Sequence, residues 1–225
     1  MDKQNFLQLN NALQTIVRFI PLKWGNIQNN DWDSLLNLFD INNYETLEKK
    51  VSDFDEDVKN YFRRRWFIWK CAQCDEHIFC SNTNVAQNPN QRSQDYGIEF
   101  NGNTELRFDI KGTVIPSKFR NQIPEILNEP KPLLDFFYEQ QSRGVRKHIQ
   151  NRLFIIHHSY ISQEREMYLR CHWAYKTKVY QQYAAYINEE IKLIHYENVK
   201  ADMIFIFENV DRTITHNFLS MRNFE

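Results

Sequence analysis

Two uninterrupted apolar runs constrain the fold of this chain most strongly. Leu153–Ile156 and Met203–Phe207 are each the length of a strand and contain no polar residue. A strand that is covered on one face alternates apolar and polar residues, whereas a strand that is covered on both faces is apolar throughout. We therefore expect both runs in a central mixed β-sheet flanked by helices, which is an α/β (α+β) fold.

The longest helical signal precedes these strands. Residues 55–79 are predicted to form one helix, because acids within 53–57 favour the positive end of the helix dipole and apolar residues recur along one line. Glu76 lies on that line, since it follows Val58 by about five whole turns. A carboxylate on an inward stripe needs a partner. Glu76 is therefore either a buried functional acid or part of a helix end that frays into solvent.

The rest of the chain divides into an N-terminal part and a main domain. Residues 1–54 are predicted to form short helices, a helical N-terminal appendage that packs on the core or on a partner. Residues 55–225 form the main domain, with a proline-punctuated insertion at 114–150. The remaining predicted elements are short helices at Trp32–Phe39 and Tyr44–Val51, a loop at 81–94, helices at 133–149 and 175–194, and an edge strand at 213–219.

Composition and charge limit the classes of function. The chain is 42% hydrophobic and 25% charged, with a formal net charge of -1 at pH 7. This composition is typical of a globular domain and gives no overall basic signal for coating nucleic acid. No stretch approaches the roughly 18 consecutive apolar residues of a membrane span, and no signal-peptide layout is present. We expect a cytoplasmic protein that does not bind membranes.

Four metal-ligand residues occur close together on the predicted long helix. The group starts with a Cys-x2-Cys spacing, which is a common half of a zinc site. Its members are Cys71, Cys74, His77 and Cys80. They are spaced three residues apart, however, and each step rotates a helix by about 300°. The four side chains then spiral around the helix and cannot converge on one ion unless the helix breaks. The pattern favours ordinary helix packing.

The segment from Asp95 to Lys111 predicts a β-hairpin. Apolar residues alternate along both arms, and Asn101–Asn103 supplies the turn. If that three-residue turn closes the hairpin, Tyr96 faces Phe108 and one side of the ribbon is apolar. The apolar residues are Tyr96, Ile98, Phe100, Leu106, Phe108 and Ile110.

The opposite side of this hairpin carries the charges. In the same register Asp95 faces Asp109, and Lys111 follows Asp109 on the same side because strand side chains alternate. Directly opposed carboxylates repel each other and destabilise a sheet. A divalent cation such as Mg²⁺, which prefers carboxylate oxygens, would remove the conflict. The alternative is a solvated hairpin in which Asp109 and Lys111 form a surface pair worth very little.

Asp95 followed by Asp109-Ile110-Lys111 resembles the motif of the PD-(D/E)XK nuclease superfamily. The order of helix, hairpin, strand, helix and strand over roughly residues 55–208 resembles that fold as well. The resemblance implies a restriction-endonuclease-like αβββαβ core. It also implies that Asp95, Asp109 and the main-chain carbonyl of Ile110 ligate the metal. This sequence has Gln94 where the motif often has proline.

The resemblance implies further roles. Lys111 takes the place of the catalytic lysine, and Glu76 resembles the accessory acid that many members carry on the first helix. The expected activity is Mg²⁺-dependent hydrolysis of phosphodiester bonds, with Mn²⁺ as a substitute and DNA as the favoured substrate. A homodimer is compatible with this interpretation. The candidate nucleic-acid contacts are Lys118, Arg120, Arg143, Arg146, Lys147 and Arg152.

Two alternatives stay open at this point. The basic residues are equally compatible with a solvated helix face. The chain is also compatible with a catalytically inactive nuclease-fold interaction module, for example one that serves a mobile element. Magnesium binding separates that module from an active enzyme.

Overall fold

The computed structural model describes residues 1–20, 30–90, 95–140, 150–187 and 193–220. The helices are α1 (Lys3–Ile16), α2 (Asn30–Asp33), α3 (Tyr44–Val51), α4 (Glu56–Phe79), α5 (Ile123–Asn128), α6 (Lys131–Gln140), α7 (Arg165–Arg170) and α8 (Trp173–Tyr186). The strands are β1 (Val85–Gln87), β2 (Ile98–Phe100), β3 (Arg107–Val114), β4 (Arg152–Ser159), β5 (Ile194–Tyr196), β6 (Val199–Glu208) and β7 (Ile214–Phe218). Short 3₁₀ turns occupy Leu38–Asp40, Thr104–Leu106 and Ser117–Phe119.

The described strands form one mixed sheet with the order β1-β2-β3-β4-β6-β5, and β7 also pairs with β6. The central strands β3, β4 and β6 are parallel, whereas the outer pairs are antiparallel. The two apolar runs lie in β4 and β6, and β4 is buried at every position. The predicted α/β class with a helix-covered sheet is therefore confirmed.

Side chains of β4 alternate between two hydrophobic clusters. Leu153 and Ile155 belong to a cluster that includes residues of α1, α3, α4 and α8. Phe154 and Ile156 belong to a second cluster with α5 and α6 on the other face. The N-terminal helices share the first cluster, because Leu13 and Leu47 are fully buried in it. The N-terminal helices thus pack on the core, one of the two arrangements that the sequence allowed.

Residues 114–150 connect two parallel strands. A parallel pair requires a crossover of a dozen or more residues, usually helical. The chain passes from β3 to β4 through α5 and α6, and from β4 to β6 through α7 and α8. The helix predicted over 133–149 is observed from Lys131 to Gln140, and the remainder lies outside the described residues.

Two local predictions need correction. The predicted loop at 81–94 contains strand β1, which was missed because only Val85 of its three residues is buried. The helix predicted over 175–194 ends at Tyr186. Ile194 continues the apolar spacing of that helix but begins β5, where it pairs with Ala201 in a hairpin.

The register of the β2–β3 hairpin also differs from the prediction. Ile98 pairs with Phe108 rather than with Leu106, so the strands are shifted by two residues. The connection is longer than predicted, because Thr104–Leu106 form a 3₁₀ turn before β3 begins. Asn101 starts the turn with φ 56°, a left-handed conformation that asparagine tolerates.

Helix α4 matches its predicted extent and is fixed from two sides. The Trp66 indole N–H donates to the carbonyl of Ile41 at 2.9 Å. Asp75 forms a fully buried ion pair with Lys176 of α8 at 2.5 Å and accepts a hydrogen bond from Tyr180 at 2.9 Å. These contacts set the rotation of α4 and hence the direction of its polar face. In the described residues, no helix is long and apolar enough to cross a membrane.

Candidate active site

Strand β3 places Asp109 and Lys111 on the same side of the sheet. The side chain of Ile110 between them points into the core, as the alternation of a strand requires. The Lys111 Nζ atom lies 2.8 Å from Asp109 Oδ2. The predicted same-side arrangement of these two residues is therefore confirmed.

Asp109 receives further contacts on the same oxygen. The Gln150 side-chain amide donates to Oδ2 at 2.7 Å, and Nε of Arg152 lies 3.9 Å from it. Arg152 is nearly buried and its guanidinium lies 5.0 Å from the centre of the Tyr138 ring. Among the described residues, none donates a hydrogen bond to Asp109 Oδ1. One carboxylate oxygen is thus held in place while the other is open to a ligand.

Glu76 reaches this site from the last turn of α4. Its carboxylate lies over Gly97, where a Cβ atom would be 3.1 Å from Glu76 Oε1. Gly97 is itself fixed beside β3, because its N–H donates to the carbonyl of Phe108 at 2.9 Å. Any larger residue at this position would displace the carboxylate. Two carboxylates from distant parts of the chain, Glu76 and Asp109, therefore meet beside Lys111.

The electrostatics of the site are those of two neighbouring acids. Burial, and then the charge of Asp109, raise the pKa of Glu76 to about 7. Lys111 and a hydrogen bond from Gln87 act in the opposite direction. Ionised Glu76 is therefore unfavourable in the metal-free protein, and a cation shared with Asp109 would relieve both the burial penalty and the repulsion.

Asp95 does not occupy the position that the sequence predicted. The paired part of the hairpin reaches only as far as Ile98 and Phe108, and Gly97 N–H also donates to the carbonyl of Phe108. Asp95 is exposed and precedes β2. It is not among the described residues that line the cleft at this site. The predicted pairing of Asp95 with Asp109 is wrong in this register, and Glu76 supplies the second carboxylate.

The site lies in a cleft of about 1990 Å³. Its described lining comes from α1, the segment 37–44, α4, and the strands and loops around Asp109. The lining contains ten asparagine or glutamine side chains, three lysine or arginine side chains and three carboxylates. The cleft is larger than the roughly 300–1,000 Å³ pockets that hold small molecules. Its size suits a polymer better than a metabolite.

The predicted nucleic-acid contacts separate into three groups. Arg152 lines the cleft, whereas Lys118 and Arg120 are not among its described lining residues. Arg120 instead makes two hydrogen bonds to the buried carboxylate of Glu166, at 2.7 and 2.8 Å. Lys118 lies over the rings of Phe119 and Phe136. The third group, Arg143, Arg146 and Lys147, lies outside the described residues.

Two residues of the site were missed by the sequence interpretation. Gln87 on β1 holds Glu76, and Gln150 just before β4 holds Asp109. Neither lies in a motif or on a periodic stripe, so no local signal marks them. Their position follows from strand pairing, which brings the beginning of β4 alongside Asp109.

The described residues contain no group of three or more His, Cys, Asp or Glu side chains placed to share a metal ion. This includes the cysteines of α4, where Cys71 and Cys74 pack as buried free thiols. No protein-family model, curated protein or solved structure matches this chain.

Proposed function

We propose that this protein is a metal-dependent nuclease of the PD-(D/E)XK type that hydrolyses phosphodiester bonds, with DNA as the favoured substrate. One observation carries the proposal: Glu76 and Asp109 meet beside Lys111 on the wall of a polymer-sized cleft, where burial and then the charge of Asp109 raise the pKa of Glu76 to about 7. Strongly perturbed acids in a cleft are typical of functional sites.

The order of elements gives independent support. Helix α4 is followed by β1, β2 and β3, then by the crossover helices α5 and α6, and then by β4. This is the αβββαβ order that the sequence resemblance implies. The Asp109-Ile110-Lys111 motif lies on the third strand of that series, and Glu76 lies on its first helix.

The residues present fit a hard divalent cation. Two carboxylates suit Mg²⁺, which keeps several water ligands and does not need an all-protein cage. Asp109 N–H donates towards β4, to the carbonyl of Asn151. Because carbonyls alternate along a strand, the Ile110 carbonyl faces the β2 side, beyond the Ile98–Phe108 pair. Glu76, Asp109 and the Ile110 carbonyl would therefore hold the ion.

The residues around the ion would divide the chemistry between them. When bound, Mg²⁺ polarises a phosphate oxygen and lowers the pKa of a bound water. Lys111 would orient the attacking water and offset the negative charge that develops on the phosphate. Gln150 and Gln87 would hold the two carboxylates in position, as supporting residues do in metal sites. Arg152, whose Nε atom lies 3.9 Å from Asp109 Oδ2, would contribute positive charge to the site.

The alternative proposal is a catalytically inactive interaction module with the same fold. The observation that favours it is the pairing of Asp109 Oδ2 with Lys111 and Gln150. A carboxylate that is already paired in this way gains less from a metal ion. An inactive module would bind Mg²⁺ no better than a surface acid pair.

The test is cleavage of labelled single-stranded DNA, duplex DNA and RNA in Mg²⁺ or Mn²⁺. Wild type is compared with Asp109→Asn and with the matched control Asp135→Asn, which alters a surface carboxylate on α6 paired with Lys131. The proposal predicts cleavage by wild type and by the control, and loss of at least about a hundredfold in Asp109→Asn. The proposal is refuted if Asp109→Asn cleaves at the wild-type rate. It is also refuted if the wild-type protein cleaves none of the substrates.

A further inference from the structure

The cleft continues beyond the acid pair along one face of α4. The residues of α4 that line it are Trp66, Trp69, Lys70, Ala72, Gln73, Glu76 and His77. Apart from Ala72 they are spaced by three or four residues, which is one face of a helix. Lys70 precedes Glu76 by six residues, or about 9 Å along the helix. A second group of side chains, around Lys70, thus lies less than two helical turns from Glu76 along α4.

This second group forms a separate part of the cleft, here called the outer arm. It lies between α1, the 3₁₀ turn at Leu38–Asp40 and α4. Its members are Gln8, Phe39, Asn42, Trp69, Lys70 and Gln73.

Lys70 is the unusual member of the outer arm. Only 4% of the residue is exposed, and it has no ion pair or hydrogen bond among the described residues. Its Nζ atom lies 4.1 Å from the centre of the Trp69 ring, and burial lowers the pKa of its ammonium group. A buried cation without a counter-charge is costly, and an aromatic face offsets only part of that cost. An anion at this position would complete the site.

The neighbours of Lys70 are suited to a nucleobase. Phe39 packs edge-on against Trp69 with ring centroids 5.1 Å apart, yet 71% of Phe39 is exposed. An exposed ring of this kind is a stacking platform that any base can use. The side-chain amides of Gln8, Asn42 and Gln73 make no hydrogen bond to the described residues. They are available to the polar edges of a base.

The charge of the cleft argues against a duplex as the ligand of the outer arm. Duplex affinity rests on neutralising several phosphates with lysine and arginine. The described lining balances three such residues against three carboxylates. A strand with unpaired bases, in contrast, gains affinity from stacking and from contacts to base edges.

We propose that the outer arm binds one unpaired nucleotide of the substrate strand, with its base on Phe39 and its phosphate at Lys70. This inference rests on the proposed nuclease function and adds a preference for single-stranded nucleic acid next to the cleaved bond. Trp69 positions both contacts, since it packs against Phe39 and Lys70.

The test is fluorescence anisotropy in EDTA, so that binding is measured without metal-dependent cleavage. The probes are a short fluorescein-labelled DNA strand, an RNA strand of the same sequence and the corresponding DNA duplex. The variants are Lys70→Met and Phe39→Ala. The matched control is Lys131→Met, which removes one exposed positive charge on α6. If Lys70→Met does not fold by circular dichroism, Phe39→Ala decides the result, because Phe39 is largely exposed.

We expect wild type and Lys131→Met to bind at least one single strand more tightly than the duplex. Each variant in the outer arm should weaken that binding about tenfold. Duplex binding as tight as single-strand binding, or wild-type affinity in a folded variant, overturns the inference. Lys70-dependent binding without any cleavage in Mg²⁺ refutes the nuclease function alone. Asp109-dependent cleavage with Lys70-independent binding refutes the outer arm alone.

Discussion

Replacement of Glu76 by glutamine should make the metal-free protein more stable at neutral and alkaline pH. Glutamine keeps the size of the side chain and removes the charge that burial and Asp109 disfavour. The pKa of Glu76 rises from 4.5 to about 7 on folding. A difference of this size corresponds to roughly 3 kcal/mol, at about 1.36 kcal/mol per pH unit.

The pH dependence has a definite sign. The folded state binds the Glu76 proton more tightly than the unfolded state, so this group favours folding fully below pH 4.5. That contribution is lost as the pH rises from 4.5 to about 7. The stability gained by Glu76→Gln should therefore grow from about 1 kcal/mol at pH 5 to about 3 kcal/mol at pH 8. For a chain of this size, 3 kcal/mol corresponds to roughly 6 to 12 °C in melting temperature.

The assay is urea unfolding in EDTA at several pH values between 5 and 8, followed by fluorescence. Glu129→Gln is the matched control, because Glu129 is exposed at the end of α5. In added Mg²⁺, wild type should become more stable than Glu76→Gln. A ligand that binds the folded state stabilises it, and only wild type keeps both carboxylates that would bind the ion. A variant no more stable than wild type at pH 8, or a difference that does not change with pH, would refute the reasoning.

Two further substitutions probe the neighbourhood of the site. Gly97→Ala would place a Cβ atom 3.1 Å from Glu76 Oε1. The cleavage rate should fall while the melting temperature changes little. An unaltered cleavage rate would contradict the placement of Glu76. Arg120→Ala leaves the buried carboxylate of Glu166 without its main partner, so unfolding should become about 3 kcal/mol easier. Nucleic-acid binding by folded Arg120→Ala should stay at the wild-type level, and a loss of binding would return Arg120 to the list of phosphate contacts.

The elements of the fold with strong local signals were predictable from the sequence. The buried strands β4 and β6 are apolar without interruption, and α4 has acids at its start and a long periodic stripe. Glu76 was predictable as a candidate for the same reason, because a carboxylate on that stripe is conspicuous. Strand β1 is too short to produce a comparable pattern.

The hairpin register was not predictable from apolar alternation. A shift of two residues keeps every side chain on the same face, so the apolar pattern fits both registers equally. The charges do distinguish them. The predicted register places Glu99 opposite Glu105, whereas the observed register pairs Glu99 with Arg107 at 2.5 Å. Cross-strand repulsion was therefore the signal that could have corrected the pairing of Asp95.

The supporting residues of the site were beyond sequence reasoning. Gln87 and Gln150 belong to segments 63 residues apart and meet only through the pairing of β1 to β4. Arg120 was wrongly predicted as a phosphate contact, because its sequence position does not reveal that its guanidinium pairs with the carboxylate of Glu166.

The Lys111→Ala variant tests the central claim most directly. Single-turnover cleavage and Mg²⁺ affinity are measured on the same preparations of variant and wild type. The account predicts that the variant loses most of its cleavage rate. Its Mg²⁺ affinity should be equal or higher, because removal of Lys111 takes away a cation 2.8 Å from Asp109. Its melting temperature should hardly change, since a partly exposed ion pair contributes about 1 kcal/mol or less. Cleavage at the wild-type rate, or joint loss of metal binding and stability, would contradict the account.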